Sequence, residues 1–280
     1  MGVNDEVVRT VADLFLGARL TPTQRRIAHC LVEHAAKAAY LSAAEVAELA
    51  GVSQPSVTRF AMALGYEGYP ALRRELRSLT GPQAAAPAEG NPMQLAVRAE
   101  AAHLERLHHD LARLDDVQRA AGLLVRSRPL PVLGLRAAAP LAGYFGYFAA
   151  KVHPDVRVLD SGGTQLLDRL DQARAAGAGA MLAVVLPRYP RESLDAVREA
   201  RASGYAVVAI TDSAVSPVAE AADVVLPAAV GTQLVFDLHT GPMAMAMVLL
   251  QAMCDAAPEP VQRRLEEFEA TASRRHIFEA

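Results

Sequence analysis

SAAEVAELAGVSQPSVTRFAMALGYEGYPALRREL, residues 42–76, carries its own punctuation. Ser42 suits the N-cap of a helix whose apolar positions Val46, Ala47, Leu49 and Ala50 fall near helical spacing, and Gly51 supplies the positive φ of a sharp stop. After a tight turn, Ser53 stands where a second helix needs its cap and Pro55 sits in the first turn, where a missing N–H costs nothing. Val57, Phe60, Ala61 and Leu64 form that helix's buried stripe, leaving Gln54, Ser56, Thr58, Arg59 and Met62 on the other face. Two short helices joined this way make a helix-turn-helix, in which the N-terminal end of the second helix meets base edges. Ser53, Gln54, Ser56, Thr58 and Arg59 are therefore the candidate DNA contacts. Gly65, Gly68 and Pro70 break the pattern, and Leu72, Arg73, Arg74, Leu76 and Arg77 predict a further helix whose guanidiniums, Arg73 and Arg74 above all, suit phosphates. The same turn also occurs in helical modules that bind only protein.

Working outward, LTPTQRRIAHCLVEH and then YLSAAEVAELAGVSQPSVTRFAMALGYEGYPALRREL resemble the N-terminal domain of RpiR/MurR-type bacterial transcriptional regulators. The Leu-Ser helix start, the Gly-Val-Ser turn, the Arg-Phe pair and the Leu-Gly-aromatic-x-Gly-aromatic run occur here in the family's order, over residues 20–79. That resemblance implies a C-terminal sugar isomerase (SIS) domain, an expectation the rest of the chain can meet or fail.

The chain has 280 residues, 52% of them hydrophobic and 21% charged, with a net charge of −3. This is ordinary globular composition with room for two domains, and it lacks the global basic excess of a protein that coats nucleic acid. Any positive surface must be local, as with Arg59, Arg73, Arg74 and Arg77 against Glu67 and Glu75. Cys30 and Cys254 lie far apart in apolar helical contexts, which predicts buried inert thiols and a reducing, cytoplasmic setting. No secretory leader and no membrane-spanning run is read.

Residues 80–92, TGPQAAAPAEGNP, lack amphipathic periodicity and read as a linker between a helical domain at 1–79 and a second domain at 93–280. Met93 to Leu114 predicts a helix, with Asp115 or Asp116 capping the next, which ends near Ser127. Beyond it the period changes. The apolar runs 131–135, 156–160, 181–187, 205–211 and 223–227 alternate with helical segments, which predicts an α/β domain, three-layered and doubly wound about a parallel sheet. Ligands of such folds bind outside the carboxyl ends of the strands.

Those loops carry Gly134, placed for a tight turn, then Arg136; Asp160 with Ser161 and Thr164; Arg188, Tyr189, Arg191, Glu192 and Ser193; and Thr211 to Pro217, where Ser216 and Pro217 read as a helix start. Tyr205 to Ala228, YAVVAITDSAVSPVAEAADVVLPA, resembles the Ile-Thr-Asp-Ser, Ser-Pro-x-Ala and Ala-Asp segments of SIS domains, and the likeness extends over residues 93–255. That family binds phosphorylated sugars with Ser/Thr-rich loops after the first and third strands. Here the first-loop serine position falls among Ala137 to Ala139, and Leu186 to Ser193 replaces the Ser-x-Ser-Gly-x-Thr loop, so guanidiniums stand where hydroxyls are expected. Arg136, Ser161, Thr164, Arg188, Tyr189, Arg191 and Ser193 are the candidate ligand contacts, with helix capping as the competing role for Ser161 and Thr164. Thr211, Asp212 and Ser213 are expected to fix a turn, and Met243, Met245, Met247 and Met253 to lie mainly in the core. Arg264 to Arg275 reads as a C-terminal helix docked through one face.

The expectation is a cytoplasmic regulator, a homodimer or tetramer, that reads double-stranded operator DNA. Its second domain would sense a small anionic metabolite, a phosphosugar or a sugar-acid variant. No catalytic residue, metal ligand or cofactor is assigned. The alternatives are a DNA-binding dimer whose SIS-like half binds nothing, and a sugar-phosphate isomerase.

Overall fold

A computed structural model of the protein describes residues 11–15, 18, 20–38, 41–79 and 90–279. Residues 80–89, most of the expected linker, lie outside these. The chain divides into two compact units, one comprising residues up to Ala102 with segments 214–217 and 231–237, the other the remainder.

In the first unit the described helices are α1 (Pro22–Glu33), α2 (Ala35–Ala38), α3 (Ala43–Leu49), α4 (Gln54–Ala63) and α5 (Tyr69–Leu79). Thr21 opens α1 with a capping box, its side chain accepting from Gln24 N–H while Gln24 returns the bond. Ile27, Leu31, Val46, Val57, Phe60, Leu72 and Leu76 are wholly buried in one core. Phe15 stands 5.6 Å from Phe60 between ring centroids, and Tyr69 donates its hydroxyl to the Leu41 carbonyl at 3.1 Å. Burial pushes the Tyr69 phenol up to about 12 and the Cys30 thiol up to about 11, so Cys30 is the inert thiol its context predicted.

Helix α6 (Pro92–Asp110) begins one residue before the predicted start and carries the division between the units. Asn91 caps it, accepting from Met93 N–H and Gln94 N–H at 3.0 Å each. Helix α7 (Asp115–Arg126) follows with Leu114 at its N-cap, so neither Asp115 nor Asp116 caps it; both lie in its first turn, where a carboxylate suits the helix dipole.

The second unit holds a five-stranded parallel sheet in the order β2-β1-β3-β4-β5, formed by β1 (Leu130–Gly134), β2 (Val156–Leu159), β3 (Ala180–Val184), β4 (Ala206–Thr211) and β5 (Val224–Pro227). The helices between and after them are α8 (Ala139–Val152), α9 (Thr164–Ala175), α10 (Arg191–Ala202), α11 (Thr240–Ala256) and α12 (Pro258–Arg274). Alternation along each strand sends side chains to two cores. Leu130, Val132, Leu182, Val208, Ile210, Val224 and Leu226 pack with α7, α8 and α11, whereas Leu133, Met181, Ala183, Val207 and Ala209 pack with α9 and α10. This is the three-layer, doubly wound arrangement expected. Ser127, 2% exposed, ties the layers at the entrance to β1: its hydroxyl lies 2.7 Å from the Ala180 carbonyl and 2.8 Å from that of Pro129, and accepts from the amides of Ala180 and Gly179 at 3.0 and 3.1 Å.

Three local expectations change and one holds. Gly134 needs no positive φ; a Cβ there would stand 2.6 Å from both the Ala138 carbonyl and the Ala142 Cβ, so glycine serves the close approach of α8 to β1. Ser216 caps no α-helix, because only a 3-10 turn, Pro217–Glu220, follows and the Ser216 hydroxyl is buried without a partner among the described residues. Met245 and Met253 are core residues, but Met243 is exposed. On α12, Val261 and Ala272 are buried while Ile277 beyond its end is exposed, so that helix does dock through one face.

Candidate functional site

Two arrangements carry chemistry. In the first, Ser42 accepts from Glu45 N–H at 3.2 Å while the Glu45 carboxylate accepts from Ser42 N–H at 2.7 Å, starting α3 with a capping box. These bonds hold the Glu45 carboxyl below the usual carboxylate range. Helix α3 closes on Gly51, at φ 61°, with Gly51 N–H donating to Glu48 and Val52 N–H to Ala47. Helix α4 ends identically on Gly65, φ 89°, with bonds to Met62 and Ala61. Two Schellman stops thus fix both ends of the turn-and-helix segment. Leu49 is a correction: it is 53% exposed, since the α3 face toward α4 is already filled by Val46 and Ala47.

Ser53 takes the N-cap position of α4 but makes no side-chain cap bond. Its hydroxyl lies 2.9 Å from that of Ser56, which accepts from the Arg59 guanidinium at 3.1 Å. Ser53, Ser56 and Arg59 therefore form one linked row on the outer face of α4, with no side-chain acceptor at its N-terminus. Gln54 and Arg59 are exposed, Ser56 and Thr58 half-buried, and Met62 58% exposed beside them. On α5, Arg74 is exposed and Arg73 half-buried within electrostatic reach of Glu45. The side chain of Arg77 lies outside the described residues.

The second arrangement lies in the α/β unit. The order 2-1-3-4-5 reverses direction between β1 and β3, the point where open parallel sheets leave a crevice at their carboxyl ends. A cleft of about 400 Å³ stands there, lined by Leu135 and Arg136 after β1, Asp160 and Gly162 after β2, and Pro190, Arg191 and Glu192 after β3. Arg136 holds a φ of 55°, a left-handed conformation that a non-glycine residue adopts at a cost.

The predicted contacts divide. Arg136 and Arg191 line the cleft; Arg188, also left-handed at φ 60°, is exposed and does not. The Tyr189 hydroxyl donates to Asp212 at 2.8 Å, and Thr211 donates to the same carboxylate at 3.1 Å, so Tyr189 joins the turn-fixing group. Ser161 donates to Asp160 at 3.1 Å, Thr164 is the exposed first residue of α9, and Gly163 is that helix's N-cap, so neither hydroxyl caps it. Ser193 is 1% exposed, its hydroxyl buried without a partner among the described residues.

Sequence reasoning undervalued the acids. Glu192 reaches across to accept from Gly163 N–H, and a Cβ on Gly162 would collide with its carboxylate, so only glycine leaves room for this bridge. The available signal was the pair Gly162-Gly163 opening a helix, which marks a loop something must approach closely. With Asp160, the cleft therefore offers two guanidiniums for an anionic group and two carboxylates that accept from hydroxyls.

Comparison with known proteins agrees with both halves. Residues 16–81 match the family model for the helix-turn-helix domain of the rpiR family, and residues 173–257 match that for the SIS domain. The chain is similar to the HTH-type transcriptional regulator HexR of Pseudomonas aeruginosa, 26% identical over 226 residues and 74% of each chain. It is also similar to the uncharacterized HTH-type transcriptional regulator YfhH of Escherichia coli, 38% identical over 68 residues, 24% of each. Among solved structures, the sugar isomerase domain of an RpiR transcription factor from Sphaerobacter thermophilus covers 63% of this chain and 99% of its own at 28% identity, TM-score 0.57. The Vibrio vulnificus NanR protein complexed with ManNAc-6P covers 98% of both chains at 14% identity, TM-score 0.56, which shows a shared fold.

Proposed function

Because this chain joins a helix-turn-helix domain of the rpiR family to a SIS domain in the manner of a transcriptional regulator, we propose that it binds a specific operator and that a small anionic sugar derivative controls the binding. The observation that carries the reading is the outer face of α4: Gln54, Ser56, Thr58 and Arg59 turned away from the core, Ser53 left out of its capping bond, and both helix ends closed by glycine stops. Uncapped amides at a helix N-terminus favour a phosphate, and the side chains behind them favour base edges. Arg73 and Arg74 add phosphate contacts from α5.

One such head covers a half-site only. A two-fold homodimer, with heads about 34 Å apart along the duplex, matches a palindromic operator and acts where the DNA is, in the cytoplasm. In the cleft, Arg136 and Arg191 take the phosphate or carboxylate of the effector, and Asp160 and Glu192 take its hydroxyls. NanR is described in complex with ManNAc-6P, a ligand of this chemistry. Control requires the effector to bind the DNA-competent and DNA-incompetent arrangements with different affinity. The experiment is operator binding with and without phosphosugars and sugar acids. An operator affinity that no such ligand alters, joined to the absence of any thermal shift, would leave a dimerising SIS domain without a ligand.

A sugar-phosphate isomerase is the second reading, favoured by Asp160 and Glu192 in one cleft. Glu192, however, is already engaged by the Gly163 amide, and no histidine lines the cleft. Turnover of a sugar phosphate by the purified chain decides it.

A further inference from the structure

A second cavity, of about 190 Å³, lies at the opposite end of the same sheet, where β1 and β2 begin. Its walls come from the residues before those strands, Arg128 and His153-Pro154, from the end of α8 at Val152, and from the start of α12, where Pro260, Arg263 and Arg264 line it. Among the described residues no carboxylate pairs with Arg128, Arg263 or Arg264. Asp155, next to His153, is engaged by Arg157 through two bonds of 2.9 and 3.1 Å. Three guanidiniums thus share one cavity with no counter-charge, on a chain whose net charge is −3.

The hydrogen-bond accounting points the same way. His153 is 3% exposed, and its Nδ1 accepts from Asp155 N–H at 3.3 Å, which leaves Nε2 as the protonated nitrogen of the neutral ring. That Nε2 is buried with no well-formed hydrogen bond among the described residues, and so is Nε of Arg264, whose terminal nitrogen donates to the Ala150 carbonyl at 3.0 Å. Burial and then Arg128 hold the His153 pKa below the usual histidine range, against the backbone of Ser127 and Asp155. The His153 Nε2 and Arg264 Nε atoms are both closed off from solvent, so what the cavity presents to a ligand is the guanidinium ends of Arg128, Arg263 and Arg264. The start of α12 adds helix-dipole potential of the same sign.

We propose that this cavity binds a small organic anion, its oxyanion head held by Arg128, Arg263 and Arg264 and its short apolar body against Val152 and Pro260. At about 190 Å³ against about 400 Å³ for the cleft at the carboxyl ends of the strands, the cavity suits a smaller anion than that cleft does. The site is separate from the cleft at the carboxyl ends of the strands and does not depend on its reading.

The test is calorimetric titration of the full chain with butyrate, propyl phosphate and inorganic phosphate, with butanol as the uncharged control. Butyrate or propyl phosphate should bind, the tighter of the two naming the head group, and butanol should not. Arg128→Gln and Arg263→Gln, both on solvent-facing guanidiniums, should each weaken binding about tenfold. Arg198→Gln, a surface arginine of α10, should leave it unchanged, as should the pair Arg136→Gln and Arg191→Gln. No binding of any probe at about 10 mM overturns the proposal. So does binding that survives Arg128→Gln and Arg263→Gln, or that falls equally with Arg198→Gln.

Discussion

Ser42 and Ser53 precede helices of one motif and look alike in sequence, yet only Ser42 accepts a backbone amide. Replacing Ser42 with alanine removes the acceptor of Glu45 N–H, while the backbone N–H of residue 42 still donates to the Glu45 carboxylate. An N-cap loss of this kind costs about 1 kcal/mol, or roughly fivefold faster amide exchange across α3. Ser53→Ala removes only an exposed hydroxyl pair with Ser56 and should stay within about 0.5 kcal/mol, leaving exchange in α4 nearly unchanged. Its cost should fall instead on operator affinity, through the row that ends at Arg59. Hydrogen exchange on the full chain, beside operator binding by anisotropy, reads both. Acid acts on the other bond of the box: Glu45 has its folded pKa depressed, so its contribution is present above its unfolded value near 4.5 and disappears as pH falls through the lower folded value. In Ser42→Ala the backbone bond to Glu45 survives, so the acid sensitivity should shrink by the share the Ser42 hydroxyl carries. Equal exchange changes in the two variants would refute the distinction between a structural cap and a free one.

Ser127→Ala deletes a buried hydroxyl that accepts from two amides and has one proton to donate toward the Ala180 and Pro129 carbonyls, which should destabilise the α/β domain by about 2 kcal/mol and lower its Tm by roughly 4–8 °C, measured by calorimetry; a shift under about 1 °C would mean the amides find other partners. Arg136→Gln with Arg191→Gln should abolish the effector's influence on operator binding while leaving operator affinity without effector intact, and Arg188→Gln should do neither; the reverse pattern would move the anion contact to Arg188. Gly162→Ala should displace Glu192 from the Gly163 amide and alter effector affinity several-fold with little loss of stability, because the colliding atoms are the end of a flexible side chain; unchanged affinity would remove Glu192 from the effector's contacts.

The parallel sheet was legible because its central strands β1, β3 and β4 are buried on both faces and appear as apolar runs; four strands fell within a residue of their predicted places, and β3 ends three residues short of its run. The glycine stops at Gly51 and Gly65 were legible for a similar reason: positive φ leaves few other residue types. Less visible were features set by neighbours distant in sequence. Gly134 is explained by Ala138 and Ala142, Tyr189 by Asp212, and Gly162 by Glu192. Leu49 satisfied the helical period but met no partner. Of the candidate effector contacts, the two arginines reaching the cleft could not be told from Arg188 by composition, since all three follow strands; Arg188 and Arg191 share the connection after β3, and only the one at the helix start lines the cleft.

The most direct measurement is selection of the DNA sequences that the full chain binds from a random pool, followed by titration of the best site against a scrambled duplex at fixed salt. The account predicts two symmetric half-sites about 10 base pairs apart centre to centre, bound about a thousandfold or more tighter than the scrambled duplex, with that preference lost in Arg59→Ala. Equal affinity for selected and scrambled DNA would contradict it.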